Sequence, residues 1–271
     1  MTDEPTVLYE VQDKVCTITL NRPRVLNAIS RAMKTEFVEA FDRAEADPEV
    51  SVILLRGAGR AFCAGVDLKE AAANPWENSV TGWRWHLTSL LAMCLRMWNS
   101  SKPVIAAVRG HALGSGCDLA LSADLTVAAS DANFGEPEIR GISGPPGLMM
   151  PWVVGLKRAK ELLLFGDSVN AEQAERYGMC TRVFPVETFD EEVDRYARRL
   201  AAIPAVALSL NKRSINKTFE MMGLRNALDF NTEMMISTNM SKPAEQREAR
   251  RAQIAAGGLK QMLAKRDEGL A

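Results

Sequence analysis

The stretch ALGSGCDLALSAD, residues 112–124, sets Gly114 and Gly116 on either side of Ser115 and then places one carboxylate, Asp118, before the apolar run Leu119-Ala120-Leu121. Without side chains, backbone N–H groups come close to a ligand atom, and an N–H at a helix start also carries the positive end of the dipole. A second glycine-rich stretch, RGAGRAFCAG at 56–65, has the same character. Two such N–H groups converging on one oxygen make an oxyanion hole, which stabilises charge developing on a carbonyl. The bland alternative is a pair of tight turns without chemistry, with Asp118 capping the helix that follows.

Elements with regular periodicity must position these loops. Val15 to Leu20 alternates, with Cys16, Ile18 and Leu20 on one face, which reads as a strand ended by Asn21-Arg22-Pro23. Ser30 can cap a helix with apolar positions Met33, Phe37, Ala40 and Phe41, closed by Asp47-Pro48. The apolar run from Val50 to Leu55 is of strand size and leads into the first glycine loop. Trp83, Leu87, Leu90, Leu91, Cys94 and Trp98 mark a helical stripe, Lys102-Pro103 breaks it, and VIAAV at 104–108 is a strand leading into the second loop. Both loops are thus expected at carboxyl ends of parallel strands, the edge where open α/β folds place ligands. After Pro204 only helical segments are expected, roughly 205–219, 224–239 and 244–265, with their methionines serving helix packing or subunit contact.

Composition narrows the function. A chain of 271 residues suits one core with an appended subdomain. Its 33 Lys and Arg against 34 Asp and Glu leave a net charge of −1, so no basic field draws in nucleic acid or an anionic membrane. No apolar run approaches a membrane span, and the start MTDEPTVLYE has neither a basic nor an apolar leader character, so a cytoplasmic protein is expected. The five cysteines are widely spaced and never in a C-x-x-C pair, and there are only two histidines, His86 and His111. A disulfide framework, a zinc site and a Ser-His-Asp triad all lack material. Two motifs fail on inspection. Gly57-Ala58-Gly59 is followed by Phe62 where a dinucleotide fingerprint needs glycine, and Ser115 has Leu113 and Cys117 where a nucleophile elbow needs glycines.

Four stretches in order, NRPRVLNAIS (21–30), RGAGRAFCAGVDL (56–68), KPVIAAVRGHALGSGCDLALSADLTVAA (102–129) and NFGEPEIRGI (133–142), resemble the enoyl-CoA hydratase/isomerase family, the crotonase superfamily; GLKRAKELLLFGDSVNAEQAERYGMCTRVFP (155–185) extends the likeness. The resemblance implies an α/β fold, a spiral of ββα units over 1–203 that binds acyl-CoA, and a helical region over 204–271 that packs in trimers, commonly paired as hexamers. It implies an acyl-CoA thioester substrate and no separate cofactor, coenzyme A being part of the substrate; neither metal, nucleic acid nor membrane is expected. It puts the oxyanion-hole N–H groups at Ala64 and Ser115, where serine replaces the usual glycine. It puts substrate contacts at Arg24, Val25 and Leu26, at Gly65, Val66, Asp67 and Leu68, and at Gly114 and Gly141.

The hydratases' two catalytic acids fall, by the same resemblance, on Asp118 and Glu138. Such a pair holds one water, one carboxylate drawing off its proton while the other helps deliver a proton to the α carbon; proximity and burial raise one pKa and leave an acid and a base together. Glu138 also has a bland reading, as a loop acid paired with Arg140. Asp118 is one methylene shorter than the family's glutamate, and GISGPPGLMMP (141–151) replaces the usual glycine-rich stretch, with Leu148 to Met150 expected to put bulk near the acyl pocket. The segment 71–86, with three tryptophans, is expected to wall that pocket or else to be helix core. The expected activity is syn hydration of a trans-2-enoyl-CoA. The alternatives are double-bond isomerisation, C–C hydrolysis, or a non-catalytic acyl-CoA-binding protein.

Overall fold

Strands that are apolar at every position need cover on both faces, and the molecule supplies it. The computed structural model describes residues 4–74, 79–141 and 144–268, with the backbone alone at Arg247. Its strands are β1 (Val7–Gln12), β2 (Val15–Leu20), β3 (Val52–Gly57), β4 (Val104–Val108), β5 (His111–Leu113), β6 (Leu125–Ala129), β7 (Asn133–Gly135), β8 (Ser168–Asn170) and β9 (Arg182–Phe184). A main sheet runs in the order β1-β2-β3-β4-β6-β9, parallel except for the β1–β2 hairpin. Ile53 and Leu55 of β3 point to one side, onto Met33, Phe37, Phe41 and Met93. Val52 and Leu54 point to the other, under Phe189, Val193 and Ala197 of the helix Phe189–Ala201.

A smaller sheet, β5-β7-β8, lies beside the main one. The central parallel strands β4 and β6 hand the chain to this layer before a helical segment follows, whereas β9 runs directly into the helix Phe189–Ala201. β4 passes to β5 and the helix Ser115–Ser122, and β6 passes to β7 and a 3-10 turn, Pro137–Arg140. The earlier repeat does the same with isolated bridges, Cys63 pairing Ala112 of β5 and Ile29 pairing Val66. The result is the spiral of ββα units.

Local sequence explains most boundaries. Ser30 caps the helix Arg31–Ala46, its hydroxyl accepting from the Met33 N–H at 3.1 Å, and Asp47 ends it. The run expected from Val50 begins as a strand at Val52 and reaches Gly57. β1 is absent from the sequence reading. It is an edge strand with one buried residue, Val7, and its hairpin turn is Asp13-Lys14, both at positive φ, rather than a glycine pair. The region after Pro204 is helical: Ala205–Met221, Leu224–Met240, Ala244–Gln253 and Leu259–Asp267. The single helix expected over 244–265 is broken at Ile254–Gly258, where Gly257 takes φ 85°. The break itself and the preceding helix Ala244–Gln253 pack against the helix Leu68–Ala73, beside the first glycine loop.

Phe37 is fully buried at the centre of the larger apolar cluster. Phe37→Ala should destabilise the protein by about 3–5 kcal/mol, read as a lower urea midpoint; an unchanged midpoint would contradict this packing.

Candidate active site

The two glycine loops meet. A Cβ placed on Gly65 would come within 2.9 Å of the Leu113 carbonyl and 3.5 Å of the Ser115 nitrogen, and one on Gly116 within 2.2 Å of the Cys63 carbonyl. Only bare backbone permits so close an approach. The second loop sits at the end of β5 rather than directly at the end of β4, because β5 intervenes. Ser115 opens the helix Ser115–Ser122, and its N–H has no acceptor among the described residues. The Ala64 N–H differs: it donates to the Leu26 carbonyl at 3.0 Å. A ligand oxygen at Ala64 must share that N–H or draw it away from Leu26.

Asp118 is the fourth residue of its helix, not its cap; Gly114 holds the cap position. The carboxyl is 1 % exposed, and one oxygen accepts from the Gly147 N–H at 2.8 Å. Burial pushes Asp118 up to about 8, the nearby Glu138 adds to the rise, and the Gly147 N–H opposes it. Glycine is required at 147, because a Cβ there would lie 2.8 Å from the Asp118 carboxyl carbon.

Glu138 stands in the turn after β7, with its carboxylate against the backbone that precedes Ser115. A Cβ on Gly114, which has φ 56°, would lie 3.1 Å from each Glu138 oxygen. Burial raises Glu138 too, and the charge of Arg266 opposes that rise without cancelling it. The pairing with Arg140 is not formed: Arg140 engages Asp167 and Asp267. The molecule therefore brings Ser115, Asp118 and Glu138 to one place, with Ala64 and Gly65 on its other side.

The remaining expected residues divide by what their groups do. The Asp67 side chain caps the helix Leu68–Ala73 and pairs with Arg22 at 2.8 Å, and its N–H is taken by the Ile29 carbonyl. Arg24 and Val25 are exposed in a 3-10 turn that ends at Leu26, and Val66 and Leu68 continue the loop into the helix. Buried Asn27 ties that turn to the first glycine loop, donating to the carbonyls of Ala58 and Ala61. Gly141 lies by Arg250 and Arg266, each 3.7 Å from a Cβ placed on it. Met149 and Met150 turn into the core, 5 % and 1 % exposed, with Leu148 packed against it, and Met149 lines a small apolar cavity with Leu91, Cys94, Trp98 and Gly147. Trp76 lies outside the described residues, as do Ile142 and Ser143. Trp83 packs with Leu87, Met235 and Ile236, whereas Trp85 is half exposed beneath Arg31 and Lys34. Burial pushes His86 down to about 3, which keeps it neutral and unsuited to proton transfer.

Sequence reasoning missed Glu136 and Gly147. Glu136 is 1 % exposed beside Glu138, and the spacing E-P-E was the available signal. Gly147 carried no signal beyond its type, because its N–H reaches Asp118 across 29 residues. Gly147→Ala should cost about 1–3 kcal/mol of stability, and the cost should shrink by at least about 0.5 kcal/mol in an Asp118→Ala background. Equal costs in the two backgrounds, measured by denaturation, would separate Gly147 from Asp118.

Comparison with known proteins bears on this geometry. A sequence model described as enoyl-CoA hydratase/isomerase matches residues 10–254. A probable enoyl-CoA hydratase from Mycobacterium tuberculosis is 34 % identical over 220 residues, covering 79 % of this chain and 82 % of that one. The mitochondrial enoyl-CoA hydratase of Pongo abelii is 36 % identical over 212 residues, covering 75 % and 69 %. The crystal structure of an enoyl-CoA hydratase/isomerase from Xanthobacter autotrophicus Py2 superposes with a TM-score of 0.91 at 38 % identity, over 97 % of each chain. With its two glycine loops converging on a pair of buried acids, this chain belongs to the enoyl-CoA hydratase/isomerase family.

Proposed function

We propose that the protein is an enoyl-CoA hydratase, adding water syn across the double bond of a trans-2-enoyl-CoA. The observation that carries the reading is the unequal pair of acids beside the free Ser115 N–H: Asp118 is 1 % exposed and Glu138 is half-buried, burial raises both, Asp118 to about 8, and the charge of Arg266 opposes the rise at Glu138. Hydration needs one carboxyl in each form.

The thioester oxygen is received by the free Ser115 N–H at the positive end of its helix, with Ala64 as second donor once its bond to Leu26 yields. Glu138 draws a proton from the bound water as the water oxygen attacks the β carbon. The electron pair of the double bond moves toward the thioester oxygen, and Asp118 gives its proton to the α carbon. Coenzyme A enters with the substrate, along the exposed turn at Arg24 to Leu26 and the backbone of Gly65 to Leu68. No helix among the described residues is long and apolar enough to cross a membrane, which fits a water-borne thioester. The C-terminal helices expose Val206, Met221 and Phe230 at 82 %, 80 % and 67 %, apolar area that supports assembly as a homotrimer or a hexamer.

Purified protein with crotonyl-CoA or a longer trans-2-enoyl-CoA should form a product heavier by one water; a double-bond isomer or no product contradicts hydration. Glu138→Gln should lower kcat by about 10²–10⁴-fold while acyl-CoA still binds, and an unaltered rate would remove Glu138 from the chemistry. The rate should also fall as pH rises through about 8, because Asp118 is protonated below that value and loses its proton above it. A rate that keeps climbing there would contradict an acid role for Asp118.

A further inference from the structure

Glu136 is the most isolated acid in the described residues. It is 1 % exposed at the end of β7, and neither carboxyl oxygen has a hydrogen-bond partner among the described residues. The groups that face it are Glu138 on its own turn and Asp118 and Cys117 on the helix Ser115–Ser122; Cys94, on the helix Val80–Asn99, lies near Asp118, and Arg266 acts on Glu138 from the last helix. None of these offers a cation to Glu136 itself. A buried carboxylate without a donor or counter-ion costs several kcal/mol, and a third negative charge beside Glu138 and Asp118 adds repulsion. A protonated Glu136 removes both penalties and gains an acceptor, the Glu138 carboxylate.

We propose that Glu136 is a positioning residue that stays protonated and donates a hydrogen bond to Glu138, so that the two carboxyls share one proton and Glu138 is held as the oriented carboxylate. The inference rests on the hydratase reading for Glu138's role. Burial acts on Glu136 in the direction the arrangement needs, raising it well above the ordinary carboxylate range. The neutral donor stabilises charge on Glu138 without adding a cation, which would hold the proton drawn from water less well. Next to it, the Gly114 N–H donates to the Gly135 carbonyl at 2.9 Å, so the strand end carrying Glu136 is fastened to the loop that carries Ser115.

The test compares Glu136→Gln, whose amide keeps a donor, with Glu136→Leu and Glu136→Ala, which keep none. In pH–rate profiles the apolar variants should move the acid limb, where Glu138 takes up a proton, to higher pH by about one unit or more. Their kcat at neutral pH should fall about tenfold or more at nearly constant KM. The glutamine variant should restore both. An acid limb that stays in place in a folded apolar variant, or glutamine behaving like alanine, overturns the proposal. Carboxyl carbon NMR titration supplies a readout independent of turnover, so a protein that fails as a hydratase still tests the pair. The Glu138 step should lie at higher pH in Glu136→Leu than in Glu136→Gln; a Glu138 step at the same pH in both folded variants would overturn it.

Discussion

Burying carboxyl groups is the constraint on which the rest of the site depends. Asp118 and Glu136 are almost wholly removed from water, and Glu138 is close to them. Each would be an expensive charge if ionised alone, so the site settles which of them ionise by unequal burial and by a few donors. The Gly147 N–H reaches Asp118, the charge of Arg266 acts on Glu138, and Glu136 has no partner among the described residues. In the proposed mechanism that inequality lets three chemically similar groups serve as an acid, a base and a support.

The fold serves this constraint by supplying backbone instead of side chains around the acids. Gly114 makes room for Glu138, Gly147 for Asp118, and Gly65 and Gly116 let the two loops touch. The strands that deliver these loops are rigid because both faces of the main sheet are packed, by the Phe37 and Phe41 layer on one side and the Phe189 to Ala201 helix on the other. The small sheet then turns the chain toward the site, so that β5 and β7 deliver Ser115 and Glu138 side by side.

Much of this was legible in the residues. The alternation of Val15 to Leu20, the Ser30 cap and the apolar run at 104–108 mark elements that local physics decides, and the structure forms them. Edge strand β1 was not legible, since an exposed strand closed by Asp13-Lys14 carries neither a buried face nor a turn glycine. The break at Gly257 was not read either, although Gly257-Gly258 is a glycine pair inside the expected helix over 244–265. At the site, the motifs point to Asp118, Glu138 and Ser115, which the fold brings near one another, yet they could not reveal that the Ala64 N–H already serves Leu26. Nor could they show that Gly147 supports Asp118 or that Glu136 is buried, because those facts arise from contacts between segments far apart in sequence.

The account turns on Asp118 carrying a proton at neutral pH while Glu138 does not. The most direct measurement is a carbon NMR titration of protein labelled at its aspartate side-chain carboxyls, with the Asp118 resonance identified by its absence in Asp118→Asn. The account predicts that this resonance titrates near pH 8. A midpoint near the ordinary aspartate value of 3.8 would contradict it, leaving Asp118 an ionised group with no proton to give.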